Sequence, residues 1–283
     1  MSERREIERR LTTLGDVAEI MGALKNAATV ETVRLRRYVP AQQRVVQTVE
    51  AATQDFLTHY PQPLAVQSDA MPIYLVVGSE RGFCGSYNEE LARGLERERA
   101  ARGTQAAPVV AVGSRLASRL ARRVDLAAVL EAPSVADEVQ AAIARVVAAL
   151  EELPAARGKV LPLALTVLYH EIAGRLSEVQ AKRPFRAFAG DGHHYAAAPR
   201  LYLQPLDLFR ELSDHYLFAV LQELFYSALL AESERRLQHL EGALQRVERK
   251  REQLTLRGNA LRQEEITEEI EIILLSTGDG GRL

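Results

Sequence analysis

IERRLTTLGDVAEIMGALKNAATVETVRLRRYVPAQQRVVQTVEAATQDF, residues 7–56, carries one repeat along its whole length. Stepping by seven from Ile7 gives Leu14, Met21, Ala28, Leu35, Gln42, Val49 and Phe56, and Gln42 alone breaks the apolar series. The interleaved row of Leu11, Ala18, Lys25, Thr32, Val39, Val46 and Thr53 is more polar. A seven-residue repeat sustained this far predicts a coiled-coil helix. From Glu3 to about Tyr60 the only helix-breaking residues are Gly15, Gly22 and Pro40. At the α-helical rise the helix would reach roughly 80 Å. Pro40 predicts a kink, because it lacks a backbone donor and crowds the preceding turn. Tyr60-Pro61-Gln62-Pro63 predicts the end.

The other end of the chain repeats the pattern. From about Asp207 to Ser276 there is no Pro, and Gly only at 242 and 258. Leu240, Leu244, Val247, Arg251, Leu254, Gly258 and Leu261 step by three and four, after which the seam is expected to move to Ile266, Ile270 and Ile273. Arg246, Arg249, Lys250 and Arg251 make one flank basic, and Thr277-Gly278-Asp279-Gly280-Gly281 predicts a flexible tail. Neither helix can bury its stripe alone, so the two are expected to pair antiparallel as a stalk.

Between them, strand and helix signals alternate. Ile73–Val77 and the run 108–113 are short apolar stretches, typical of strands covered on both faces. Helices are expected over Asn88–Ala101 and Ser114–Arg123. A further one, capped near Ser134, should bury Val139, Ala142, Ile143, Val146 and Leu150. Leu163–Tyr169 and Leu176–Gln180 read as strands joined at Ala173-Gly174, and Gly190-Asp191-Gly192 as a loop. Such alternation predicts a mainly parallel sheet with crossover helices.

Composition narrows the function. With 36 basic and 38 acidic residues the net charge is -2, which argues against a chain built to coat nucleic acid. The charged N-terminus, Met1 to Arg10, lacks the apolar run of a signal peptide, and the sequence holds no apolar run long enough to span a bilayer. Cys84 is the one cysteine, so no internal disulfide forms. Gly78-Ser79-Glu80-Arg81-Gly82-Phe83-Cys84-Gly85 follows the first strand, but no Gly-Lys-Ser/Thr completes a P-loop and the glycine spacing is not that of a dinucleotide fingerprint. A tight turn is the favoured reading. Cys84 near a helix start has no neighbouring His in sequence and is expected to be buried and structural. His193-His194 beside Asp191 reads as surface, and His170-Glu171 lacks a second ligand at Gly174. Glu264-Glu265 and Glu268-Glu269 read as a solvated acidic face, and Arg34, Arg36 and Arg37 as a docking patch or solvent-facing charge. No catalytic, cofactor-binding or metal residue is expected. The chain reads as a mechanical or scaffolding part.

Three motifs then point to a family. Leu254-Thr255-Leu256, Asn259 and Arg262-Gln263-Glu264-Glu265-Ile266-Thr267-Glu268-Glu269-Ile270 resemble the C-terminal signature of γ subunits of F-type ATP synthases. Ser79, Glu80, Arg81, Gly82, Cys84, Gly85 and Asn88 match the family's S-[DE]-R-G-L-C-G-x-x-N segment. Ile7, Arg10, Leu11, Ile20, Ala23, Lys25 and Ala28 match its N-terminal helix, and Arg236-Leu237 its R-M pair. Departures point to a divergent branch, of the kind an alternative bacterial ATPase would carry. Ala243-Leu244-Gln245-Arg246-Val247-Glu248 replaces the usual A-T-D-N-A-G, Leu24 the usual Met, and Ile272 a common Glu.

The resemblance implies an α/β fold plus a long antiparallel coiled coil: an N-terminal helix (1–60), a central Rossmann-like domain with a mainly parallel sheet (71–206), a C-terminal helix (207–276) and a flexible tail (277–283). It implies a non-catalytic rotor that turns inside the ring of α and β subunits. The central domain would meet the ε subunit and the membrane c ring, on the cytoplasmic face of a bacterial inner membrane, without cofactor or nucleic acid. Lys25, Arg262, Gln263 and Thr267 would contact β subunits. Ile270, Ile272, Ile273, Leu274 and Leu275 would turn in an apolar collar, about half of them being ordinary coiled-coil core. Two other readings stay open: a coiled-coil adaptor with an α/β interaction domain, and a nucleotide-using enzyme on a doubly wound sheet.

Overall fold

The repeat of the opening stretch becomes a single helix, α1, Ser2–His59, which runs without interruption through Pro40. The computed structural model describes residues 2–61, 72–153, 164–174, 176–189 and 198–278, with side chains except those of 2, 187, 189 and 274–278. The second long helix, named α5 as the fifth in chain order, is Pro205–Gly278. The chain divides into two units, Met1–Ala27 with Leu237–Leu283, and Ala28–Arg236.

In the first unit the two helices run antiparallel. Lys25 meets Glu241 at 3.0 Å, Gly258 faces Ile7, and Arg4 meets Glu265 at 3.3 Å. Ile7, Met21, Leu240 and Leu254 are buried, flanked by half-buried Leu11, Leu14, Ala18, Leu244, Val247 and Leu261. Such exposed ion pairs contribute at most about 1 kcal/mol each, so the apolar row holds the pair. The expected shift of the seam after Leu261 does not occur. The inward row continues to Glu265, which Arg4 caps, and Ile266, Ile270 and Ile273 are 47%, 52% and 60% exposed. The three-and-four spacing through Leu254, Gly258 and Leu261 leads to 265, and among the described residues no α1 turn lies beyond Arg4's pairing for the isoleucines to pack on.

In the second unit the antiparallel register persists through Arg36–Glu234, Tyr38–Tyr226 and Phe56–Phe209. Gln42, the break in the apolar series, donates its amide to the Ala219 carbonyl at 3.2 Å. Thr32 and Thr53 of the more polar row are buried and return their hydroxyls to the carbonyls of Ala28 and Val49.

The sheet runs β3-β2-β1-β4-β5, built from β1 (Ile73–Val77), β2 (Val109–Val112), β3 (Leu126–Leu130), β4 (Leu165–Ala173) and β5 (Leu176–Lys182). All pairings are parallel except the β4–β5 hairpin. Side chains alternate between two cores. Tyr74, Val76, Val109 and Ala111 face α2 (Tyr87–Arg102) and α3 (Ser114–Leu120), while Ile73, Leu75, Val77, Val110 and Val112 join the core of α4 (Val139–Glu152), α1 and α5. The five expected α4 residues are all buried. Its start differs from expectation: a 3-10 turn, Ala136–Glu138, precedes it, and the Ser134 N–H donates to the Glu138 carboxylate in place of a Ser134 hydroxyl cap. Strand β3 and a 3-10 helix at Pro184–Ala189 carry no expectation from the sequence. The loop at 190–192 and the pair His193-His194 lie outside the described residues, as do 279–283 of the tail.

Candidate functional site

Two groups of sequence-singled residues are kept apart by the fold. The first is the end of α5. Arg262, Gln263 and Thr267 are exposed, and the Thr267 hydroxyl is returned to the Gln263 carbonyl at 2.9 Å. Ile270, Ile272 and Ile273 are exposed beside them, so none of the three is coiled-coil core; Leu274 and Leu275 lie on α5 with side chains outside the described set. Lys25 is not part of this group. It pairs with Glu241, 21 residues before Arg262 on α5, a separation of roughly 30 Å along the helix.

The second group is the loop after β1. Its start is set by close approach. A Cβ on Gly78 would lie 2.5 Å from Leu116 Cβ, and Gly113, at φ 110°, passes against Ser79. The Asn88 side chain then closes the loop on itself, accepting from Ser79 N–H at 3.0 Å and donating to Ser79 Oγ at 2.8 Å. The Glu80 carboxylate accepts the N–H groups of Ser114 and Ala132 at 3.0 and 3.1 Å. Burial works against the charged form, but these hydrogen bonds win and hold Glu80 below the usual carboxylate range. Arg81 and Phe83 are exposed, Phe83 with φ 65°. The close approach at Gly78 and the Asn88 contacts with Ser79 account for the start of the loop as a packed turn, without a phosphate ligand.

Beyond Gly82 the loop reaches α5. Cys84 is buried, its S–H 3.4 Å from the Gly82 carbonyl and 3.9 Å from Glu232. Arg236 donates to Glu232 through a short ion pair, to the Gly82 carbonyl at 3.3 Å and towards Cys84 Sγ at 3.6 Å. One turn on, the Tyr87 hydroxyl donates to the Ala228 carbonyl at 3.0 Å, and His170 stacks on its ring at 4.0 Å while Nε2 meets the Tyr87 carbonyl at 3.0 Å. Arg235 bonds Glu90 and Ser177 at 2.8 and 2.7 Å.

The electrostatics are those of a dry cluster. Burial pushes the Cys84 thiol up to about 11, with Glu232 adding to the push and Arg236 opposing it. Burial likewise raises Glu232, to about 7, against the pull of Arg236 and Arg81. Tyr87 is raised and His170 lowered, both by burial. A thiol so held is a poor nucleophile. His170 and Glu171 do not form a ligand pair, since Glu171 accepts from Tyr169 while His170 is turned to Tyr87. Among the described residues no group of three or more His, Cys, Asp or Glu could hold a metal ion. No described helix is long and apolar enough to cross a membrane.

Sequence reading picked out Arg236, Cys84 and Asn88 but not Glu232, Arg235, Tyr87 or the role of His170. The available signal was a carboxylate and an arginine four apart at the end of the apolar run Phe225–Ala231, where a charge survives only when paired.

A family model described as ATP synthase matches residues 3–275. The ATP synthase gamma chain of Francisella tularensis subsp. mediasiatica (strain FSC147) is 28% identical over 106 residues, 35% of this chain and 34% of its own length. The mitochondrial ATP synthase subunit gamma of Yarrowia lipolytica (strain CLIB 122 / E 150) is 26% identical over 120 residues, 42% and 39% of the two chains. These alignments therefore span well under half of either relative. A chain of the Euglena gracilis mitochondrial ATP synthase (OSCP/F1/c-ring, rotational state 3) matches with TM-score 0.63 at 16% identity, over 100% of this chain and 97% of that one. A chain of the Tetrahymena thermophila mitochondrial ATP synthase central stalk/c-ring matches with TM-score 0.52 at 18% identity, over 79% and 99%. At such identities the structural likeness is one of fold. The long helices at both termini, the sheet between them, the three ordered motifs and a family model spanning residues 3–275 lead to one conclusion: the chain belongs to the ATP synthase γ family.

Proposed function

We propose that this chain is the rotor shaft of a rotary F-type ATP synthase, a non-catalytic subunit of a divergent, alternative bacterial enzyme. Its paired terminal helices stand within the ring of α and β subunits, and its sheet domain meets the ε subunit and the membrane c ring. The complex is held at the cytoplasmic face by its partners. The observation that carries the reading is the bare end of α5. Its inward row stops at Glu265, yet Ile266, Ile270, Ile272 and Ile273 follow in solvent. Isoleucines spaced along an unaccompanied helix are an apolar surface that another protein covers. Arg262, Gln263 and Thr267 lie exposed beside them and meet β-subunit loops with directional hydrogen bonds, and Lys25 meets a β subunit from α1. Ile270, Ile272, Ile273, Leu274 and Leu275 turn in an apolar collar. An asymmetric shaft drives a ring only through contacts that differ from one subunit to the next.

The reading is tested by purifying the chain from its host. It should come away in a stable complex with α and β subunits; a chain isolated alone, under conditions that keep those subunits together, sinks the assignment. Within that complex, Arg262→Ala with Gln263→Ala should lower ion-driven ATP synthesis severalfold and leave the melting temperature unchanged. Full synthesis in the double variant removes both residues from the coupling path.

A further inference from the structure

Along the segment of α5 that faces the sheet, polar contacts recur on one side. The Ala228 carbonyl takes the Tyr87 hydroxyl, Glu232 holds Cys84 and Arg236, Arg235 holds Glu90 and Ser177, and Arg236 holds the Gly82 carbonyl. At about 100° per residue, Ala228, Glu232, Arg235 and Arg236 fall within an arc of about 100°, one face of the helix. The apolar side chains around them, such as Val220, Leu221 and Leu224, are wholly buried. Apolar packing is non-directional. A twisting load rolls a helix about its own axis, and apolar contacts resist that less specifically than charge-assisted hydrogen bonds of fixed geometry. The planar guanidinium of Arg236, gripping a carboxylate on its own helix and a carbonyl of the loop, ties the two at a defined angle.

We propose that this polar stripe sets the rotational register of α5 against the sheet, with Arg236 as its positioning residue, so that torque passes between the two without slip. The mechanical consequence rests on the rotor reading; the register itself does not.

The test uses the full chain with Glu232→Met and Arg236→Met together. Two apolar side chains of similar volume replace the buried ion pair, a change that leaves stability equal or raises it. Register is lost all the same. The expected result is an unchanged or higher melting temperature, with alkylation of Cys84 by iodoacetamide and tryptic cleavage after exposed Arg81 both faster by about tenfold or more. Cleavage reports on loop opening independently of the thiol's acidity. Arg236→Lys keeps the charge without the fork and should leave both rates raised; protection restored by Lys would make the charge, not the geometry, responsible. Wild-type rates in the double-Met variant overturn the proposal. In the assembled complex, fewer ions should be pumped per ATP hydrolysed. Raised rates in the isolated chain with an unaltered pumping ratio would uphold the register and fault the rotor reading.

Discussion

Between Tyr216 and Ser233 the only exposed residue of α5 is Phe218; between Glu241 and Ile273 the only buried one is Leu254. One helix thus has two kinds of surface. In the first stretch almost every side chain is consumed by the protein's own core, on one side by α1 and the aromatic cluster of Phe188, Phe209 and Tyr216, on the other by the sheet. In the second, α1 covers a single stripe and most other side chains are exposed. A helix buried all round fixes a fold, and one buried on a stripe offers a surface. Substitutions should therefore be costly to folding in the first stretch and nearly silent in the second, and that difference is measurable.

Arg236→Ala should have the largest effect. It strips Glu232 of its partner inside a buried cluster, and breaking such a pair costs about 3–5 kcal/mol. Urea denaturation of the isolated chain reads this directly. A loss below about 1 kcal/mol would mean that water reaches Glu232, and the dry cluster would have to be abandoned. Leu224→Ala comes next, at about 2–5 kcal/mol, for a fully buried leucine.

Much of this contrast was legible in advance. The heptads fixed both helices and their pairing, because a repeat of seven can be satisfied only by a partner helix. Strands β1 and β2 announced themselves as continuous apolar runs. The rest depended on facts that no local pattern carries. Leu126–Leu130 is an edge strand with alternate residues half-exposed and two alanines, so it lacks the apolar run of a buried strand. The seam beyond Leu261 was misplaced because three isoleucines at Ile266, Ile270 and Ile273 look like core at helical spacing; where α1's pairing stops is a tertiary fact. Glu232 escaped notice because the loop it is buried against, through Cys84, lies about 150 residues away in sequence.

Acid offers a finer probe of the same contrast. His170 is wholly buried, and burial holds it below its ordinary 6.5. Below that pH the unfolded chain takes up a proton that the folded ring refuses, so the stability this site contributes is present above 6.5 and lost as pH falls. Its share of the slope is at most about 1.4 kcal/mol per pH unit. Urea midpoints at pH 7.5 and 5.5 should therefore lie closer together in His170→Gln than in the wild type. A gap in His170→Gln as wide as in the wild type would deny that burial holds His170 neutral.

The smallest effect on folding should come at the far end of α5. Ile270→Ala removes three carbons from a side chain that is half exposed, and alanine is the better helix former, so the isolated protein should change by no more than about 0.5 kcal/mol in either direction. A melting curve that falls as far as that of Leu224→Ala would show that Ile270 is packed after all, and the distinction between the two stretches of α5 would fail. Silence in the isolated chain gives the residue meaning elsewhere. An exposed isoleucine that does nothing for its own fold is available to a partner, and the same variant should weaken assembly with the α and β subunits, measured by the salt or dilution at which the complex separates.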